Sequence, residues 1–153
     1  MLVALFRKVL VAVDGSENSD RALDLALDLG EKYDSDIMIL NVSGSLVMGV
    51  VPEESTAYSS GSLATFAKDL RKIHEEILIK AVVHAKMVKP DLAISSMLKE
   101  GDPAHEIVTV AKEGGFDVVV VGHKGLGRVK ELFLGSTSEK VAHLATCPVI
   151  IVR

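Results

Sequence analysis

Residues 117–137 read DVVVVGHKGLGRVKELFLGST: four valines without alternation, then a segment with glycines at 122, 125, 127 and 135 that ends on Ser136 and Thr137. An unbroken β-branched run suits a strand covered on both faces, as in a parallel sheet, and a glycine followed by hydroxyl residues marks a helix start. The same strand-then-helix unit recurs outward from here. Residues 8–13, KVLVAV, form a strand stopped by Asp14-Gly15-Ser16, which is turn and cap chemistry. Over residues 16–33 Asp20, Asp24 and Asp28 recur every four positions, the solvent stripe of a helix. Residues 36–42, DIMILNV, form the next strand. A helical pattern covers 62–88 and stops before Pro90, a third strand covers 92–98, and Pro103 opens a helix over 104–112. A short helix over 136–145 and a strand over 148–152 close the chain. The order βαβαβαβαβ predicts an α/β fold, an open five-stranded parallel sheet with helices on both faces and right-handed crossovers, Rossmann-like in outline. No repeat, linker or composition break divides residues 1–153, so a single domain is expected. Residues 43–62, rich in Ser and Gly with Pro52, read as a loop, either a lid or a plain crossover.

Composition removes several classes of function. The chain has 17 basic and 21 acidic side chains, a net charge of −4, with 48% hydrophobic and 25% charged residues, which is globular and not disordered. Net acidity argues against nucleic acid and anionic membrane as partners. No run approaches the roughly 18 apolar residues of a spanning helix. The apolar stretch 1–6 is cut short by Arg7 and Lys8, unlike a secretory leader. Cys147 stands alone, so an internal disulfide, a CxxC pair and a thiolate zinc site are excluded. The five histidines are scattered and form no metal cluster. A cytoplasmic protein is expected.

In open α/β sheets ligands bind beyond the carboxyl ends of the strands, near the point where the strand order reverses. Two loops therefore carry the chemistry: Asp14-Gly15-Ser16 and residues 122–137. In the second, spaced glycines permit close backbone approach, and the first amides of the following helix are unpaired donors with a partial positive charge. Lys124, Arg128 and Lys130 add three cations to a chain that is net negative. Together these read as a phosphate cradle. A GxxxxGK[ST] loop is absent, and GxGxxG fails because Lys130 stands where its third glycine belongs. His123, inside the loop, is within sequence reach of a phosphate. His105 and His143 fall on helical patterns and read as surface or packing residues, and Cys147 reads as a small buried hydrophobe. Asp14 reads both as a turn residue beside Gly15 and as a ligand contact. A receiver domain phosphorylated on Asp14 is disfavoured, because such domains need acids ahead of that aspartate and Asp14 is the first acid in the chain.

Gly122-xx-Gly125, nine residues, then Gly135-Ser136 resembles the G-2x-G-9x-G-(S/T) signature of the ATP-binding class of the universal stress protein family. The likeness extends along the chain through VAVDGS, LNV, EGDP, VVVVG and the closing CPVIIVR. The resemblance implies an adenine nucleotide alpha hydrolase-like fold. It implies ATP as ligand, accompanied by Mg²⁺ or Mn²⁺, with Ala12, Val13, Asp14 and Val42 at the adenosine end. Gly122, Gly125, Gly135, Ser136 and Thr137 would hold ribose and phosphates, with Val121 beside them. It also implies a homodimer through the last strand and a role as a nucleotide-dependent switch in stress response, acting on an unknown protein partner. The sequence assigns no catalytic residue, so hydrolysis is expected to be slow or partner-dependent. Two other readings stay open: a nucleotide-free dimeric interaction module, and a genuine Mg²⁺-dependent ATP hydrolase.

Overall fold

The computed structural model describes residues 5–44, 60–124 and 134–153, with only the backbone for 60–62. Strand and helix alternate throughout: β1 (Lys8–Ala12), α1 (Glu17–Tyr33), β2 (Asp36–Ser43), α2 (Ser60–Val88), β3 (Ile94–Glu100), α3 (Pro103–Glu113), β4 (Val118–Gly122), α4 (Ser136–Leu144) and β5 (Val149–Val152). The strands form one parallel sheet in the order β3-β2-β1-β4-β5. This is the α/β architecture expected from the sequence.

Side chains alternate across a strand, and here both sets are covered. Val9, Val11, Ile37, Ile39, Val118 and Val120 pack under Leu23 and Leu27 of α1 and Ala81 and Ala85 of α2. Leu10, Leu40, Val119 and Val121 pack on the other face under Ile107 and Val110 of α3 and Val141 of α4. β1, β2 and β4 read as continuous apolar runs because both their faces are covered. The register of β1 against β4 is pinned by Asp117, whose Oδ2 accepts the amides of Arg7 at 2.8 Å and Lys8 at 2.9 Å.

β3 is displaced from its expected place at 92–98. Pairing begins at Ile94 opposite Ile37 and runs on to Lys99 opposite Val42 and Glu100 opposite Ser43. Lys99 and Glu100 look like loop residues in sequence, but an edge strand pairs on one side only and accepts charged side chains. Leu92 precedes the strand, its amide turned back to Lys89, and still packs on the core. Most of the expected loop at 43–62 lies outside the described residues, as do Gly125, Gly127, Arg128 and Lys130. Among the described residues no helix is long and apolar enough to cross a membrane.

The chain builds outward from β1 to β2 and β3, then returns past β1 to lay down β4 and β5. The reversal falls between β1 and β4, whose carboxyl ends carry the two loops singled out above.

Candidate functional site

The first loop is built from short-range hydrogen bonds. Asp14 Oδ1 accepts the Ser16 amide at 2.9 Å, and Gly15 sits at φ +84°, a left-handed conformation that favours glycine. Ser16 caps α1 by accepting the Ser19 amide on Oγ at 3.2 Å, and Ser19 Oγ accepts the Asp14 amide at 3.2 Å. The turn reading of Asp14 therefore holds. Its second carboxylate oxygen has no hydrogen-bond donor among the described residues.

Behind this turn lies a contact that sequence reasoning missed. Asn41 of β2 is 1% exposed, and its Nδ2 donates to the Val13 carbonyl at 2.7 Å. Its Oδ1 lies 2.7 Å from Nδ1 of His74 on α2. Asn41 thereby ties the end of β1 to a helix on the far face of the sheet.

The second loop is tied at both ends. The His123 carbonyl accepts the Gly135 amide at 2.9 Å and Ser138 Oγ at 3.0 Å, while the His123 amide donates to Val152 of β5 at 2.6 Å. The first turn of α4 is thus held against the end of β4. Gly135 is the N-cap of α4 and supplies no side-chain cap. The amides of Ser136, Thr137 and Ser138 have no acceptor among the described residues, and they point the positive end of the helix toward the loop.

Neither described glycine of this motif has a positive φ. Gly122 is required by close approach of the chain to itself, and Gly135 sits in a tight approach of the same kind. A Cβ on Gly122 would lie 2.8 Å from the Asn18 carbonyl carbon and 2.9 Å from the Ser19 nitrogen, inside the first turn of α1. One on Gly135 would lie 3.1 Å from the His123 carbonyl oxygen and 3.3 Å from the Lys124 Cα.

These elements enclose a cleft of about 240 Å³. β1 contributes Ala12 and, just beyond it, Val13 and Asp14, β2 contributes Leu40 and Val42, and β4 contributes Val121, Gly122 and, just beyond it, Lys124. Gly135, Ser136, Thr137 and Ser138 close one side, while Pro103 and Ile107 of α3 close the other, with Ser19 below. Nine of the ten residues singled out in the sequence border this one cleft, and the tenth, Gly125, lies outside the described residues. Leu40, Pro103, Ile107, Ser19 and Ser138 were missed. They come from elements whose place beside the cleft depends on strand order and helix face, which no local motif carries.

The cleft has two chemical ends. Leu40, Val42, Pro103 and Ile107 make an apolar slot, whereas Lys124 and the amides of α4, without acceptors among the described residues, make a positive end, with the Asp14 carboxylate as an acceptor on the floor. His123 is not part of it: it is 6% exposed, does not border the cleft, and serves through its backbone. His105 and His143 are exposed, as expected. Cys147 is half-buried against the α3 and α4 core, where burial pushes its thiol up. Among the described residues no group of three metal-ligating side chains occurs. A second cavity, about 390 Å³, lies between α1 and α2, where His84 Nε2 sits 2.7 Å from Asp24 Oδ1.

Residues 5–153 match the universal stress protein family. The chain is 36% identical over 151 residues to universal stress protein YxiE of Bacillus subtilis, covering 97% of this chain and 100% of that one. A solved universal stress protein in complex with cAMP superposes with a TM-score of 0.71 at 24% identity, covering 97% of this chain and 98% of that one. The universal stress protein of Archaeoglobus fulgidus in complex with dAMP superposes with a TM-score of 0.65 at 20% identity, covering 97% and 99%.

Proposed function

The chain belongs to the universal stress protein family, and on that premise we propose that it binds an adenine nucleotide, foremost ATP, in the cleft between β1, β2 and β4. The observation that carries this reading is the first turn of α4, whose amides have no acceptor among the described residues and which lines, with Lys124, the same cleft as the apolar Leu40, Val42, Pro103 and Ile107. The base would lie in the slot of Leu40, Val42, Pro103 and Ile107. Asp14, whose second carboxylate oxygen has no donor among the described residues, suits an amine or a ribose hydroxyl. Two relatives of the same fold carry adenine nucleotides, cAMP and dAMP, which supports the choice of base.

Hydrogen bonds to charged groups contribute roughly 1.5–3 kcal/mol each, so four at the phosphates offset an association cost of several kcal/mol and, with burial of the base, bring the affinity to the micromolar range, about −8 kcal/mol. A Mg²⁺ or Mn²⁺ ion fits as part of the nucleotide: a hard cation that binds phosphate oxygens and water needs only one or two protein oxygens, and the Ser136 or Thr137 hydroxyl provides one. It would neutralise charge on the phosphates. Asp14 is the one carboxylate on the cleft among the described residues and is already engaged in its turn. Hydrolysis is therefore slow or dependent on a partner, and the chain acts as a cytoplasmic switch in stress response. β5, an apolar edge strand of sequence VIIV, would pair with its copy in a homodimer and so cover an edge that is otherwise open to aggregation.

The test is a competition series with AMP, ADP and ATP on the parent protein and on Lys124→Ala. The reading expects the substitution to weaken ATP by about tenfold, the effect of one charged contact, and AMP by much less. Equal losses for all three nucleotides, or none, would remove Lys124 and the α4 end from the phosphate site.

A further inference from the structure

The outer face of α2 carries a feature that the nucleotide cleft does not use. Ile73, Ile79, Val83 and Met87 are large apolar side chains that stand 53%, 59%, 51% and 78% exposed, on the side of the helix away from Ala81 and Ala85, which are buried against the sheet. Glu76, Ile79, Val83 and Lys86 follow one another at alternating steps of three and four, the spacing of a helix-pairing seam. Ile73 and Met87, two heptads apart, flank that seam on one side.

We propose that α2 packs antiparallel against α2 of a second copy of this chain, about a two-fold axis level with residue 81. In such an isologous contact every pairing occurs twice. Ile79 then faces Val83 of the second copy, Glu76 faces Lys86, and Met87 falls within one helical turn of Ile73. These four side chains are covered, whereas Leu63, Phe66 and Val88, also exposed on α2, lie outside the contact, and the acid and base that bracket the seam meet with opposite sign. A parallel pairing would set Glu76 on Glu76 and Lys86 on Lys86, so charge selects the antiparallel form. Lys80, on the flank near the axis, meets its own copy and has Glu76 one turn away to offset it. A membrane surface is a poorer occupant, because Glu76 lies in the seam and the chain is net negative.

The contact covers about four helical turns, small beside the roughly 1,600 Å² of a stable interface, so the association is weak and concentration-dependent. It adds to whatever assembly β5 makes, and its test compares variants that leave both β5 and the nucleotide cleft untouched.

Sedimentation velocity of the full chain over about 5–300 µM should show the weight-average mass rising with concentration, about twofold or more at the top of the range. Glu76→Lys and Lys86→Glu, each alone, should remove that rise, and the two together should restore it. Val83→Glu should remove it without rescue. All four variants alter exposed positions and should keep the parent's melting temperature to within a few degrees. A mass independent of concentration would overturn the proposal, as would a double exchange that fails to restore association. Binding of the parent to vesicles of anionic phospholipid without self-association would assign the face to a membrane and would also overturn it.

Discussion

Gly135→Val should weaken ATP at least 100-fold while the chain still folds cooperatively. A Cβ at this position meets the His123 carbonyl oxygen at 3.1 Å and the Lys124 Cα at 3.3 Å, both backbone atoms that cannot rotate away. The branched side chain must push the start of α4 off the end of β4, which stretches the Gly135 to His123 hydrogen bond. Two charged hydrogen bonds lost at the phosphates amount to roughly 3 kcal/mol or more, which is the 100-fold. Overpacking of this kind destabilises by about 1–3 kcal/mol, or a fall of roughly 3–10 °C in melting temperature for a chain of this size. Calorimetric titration beside a thermal melt checks both numbers. A lowered melting temperature with unchanged ATP affinity would mean that the α4 turn supports the fold and touches no phosphate.

Asn41→Leu should cost about 2–4 kcal/mol of stability, because it strands the buried Val13 carbonyl and removes the partner of His74. His74→Ala should cost distinctly less: His74 is only half-buried, and the bond from Asn41 to Val13 survives its loss. Urea denaturation of the two variants orders them. Equal costs would place the stabilisation at the α2 end of the bridge and leave the cleft floor unsupported by it. Nucleotide affinity should follow the same order, since Val13 and Asp14 form the floor on which the ligand would rest.

The two contacts mark how far the sequence carries. The strands were legible because KVLVA, DIMILNV and VVVVG are buried on both faces and so read as continuous runs. β3 was misplaced by two residues because an edge strand tolerates Lys99 and Glu100. The cleft was legible where its residues stand at strand ends, which topology alone brings together. The wall from α3 was not, since Pro103 and Ile107 border the cleft only once strand order puts α3 on the face opposite α1. The bridge from Asn41 to His74 spans 33 positions and leaves no local signal. Gly122 had a signal that pointed to phosphate, whereas its nearest constraint is the backbone of α1 at 2.8 Å. The two demands coincide there, because a helix can start close to a strand end only where no side chain intervenes.

The central claim is that the cleft holds an adenine nucleotide. The most direct measurement is to denature the freshly purified protein, separate the released small molecules by anion exchange and identify them by mass. The account predicts ATP or ADP near one per chain. A protein that releases no nucleotide, and gives no heat when titrated with Mg-ATP, would contradict it and make the glycines at 122 and 135 purely a matter of packing.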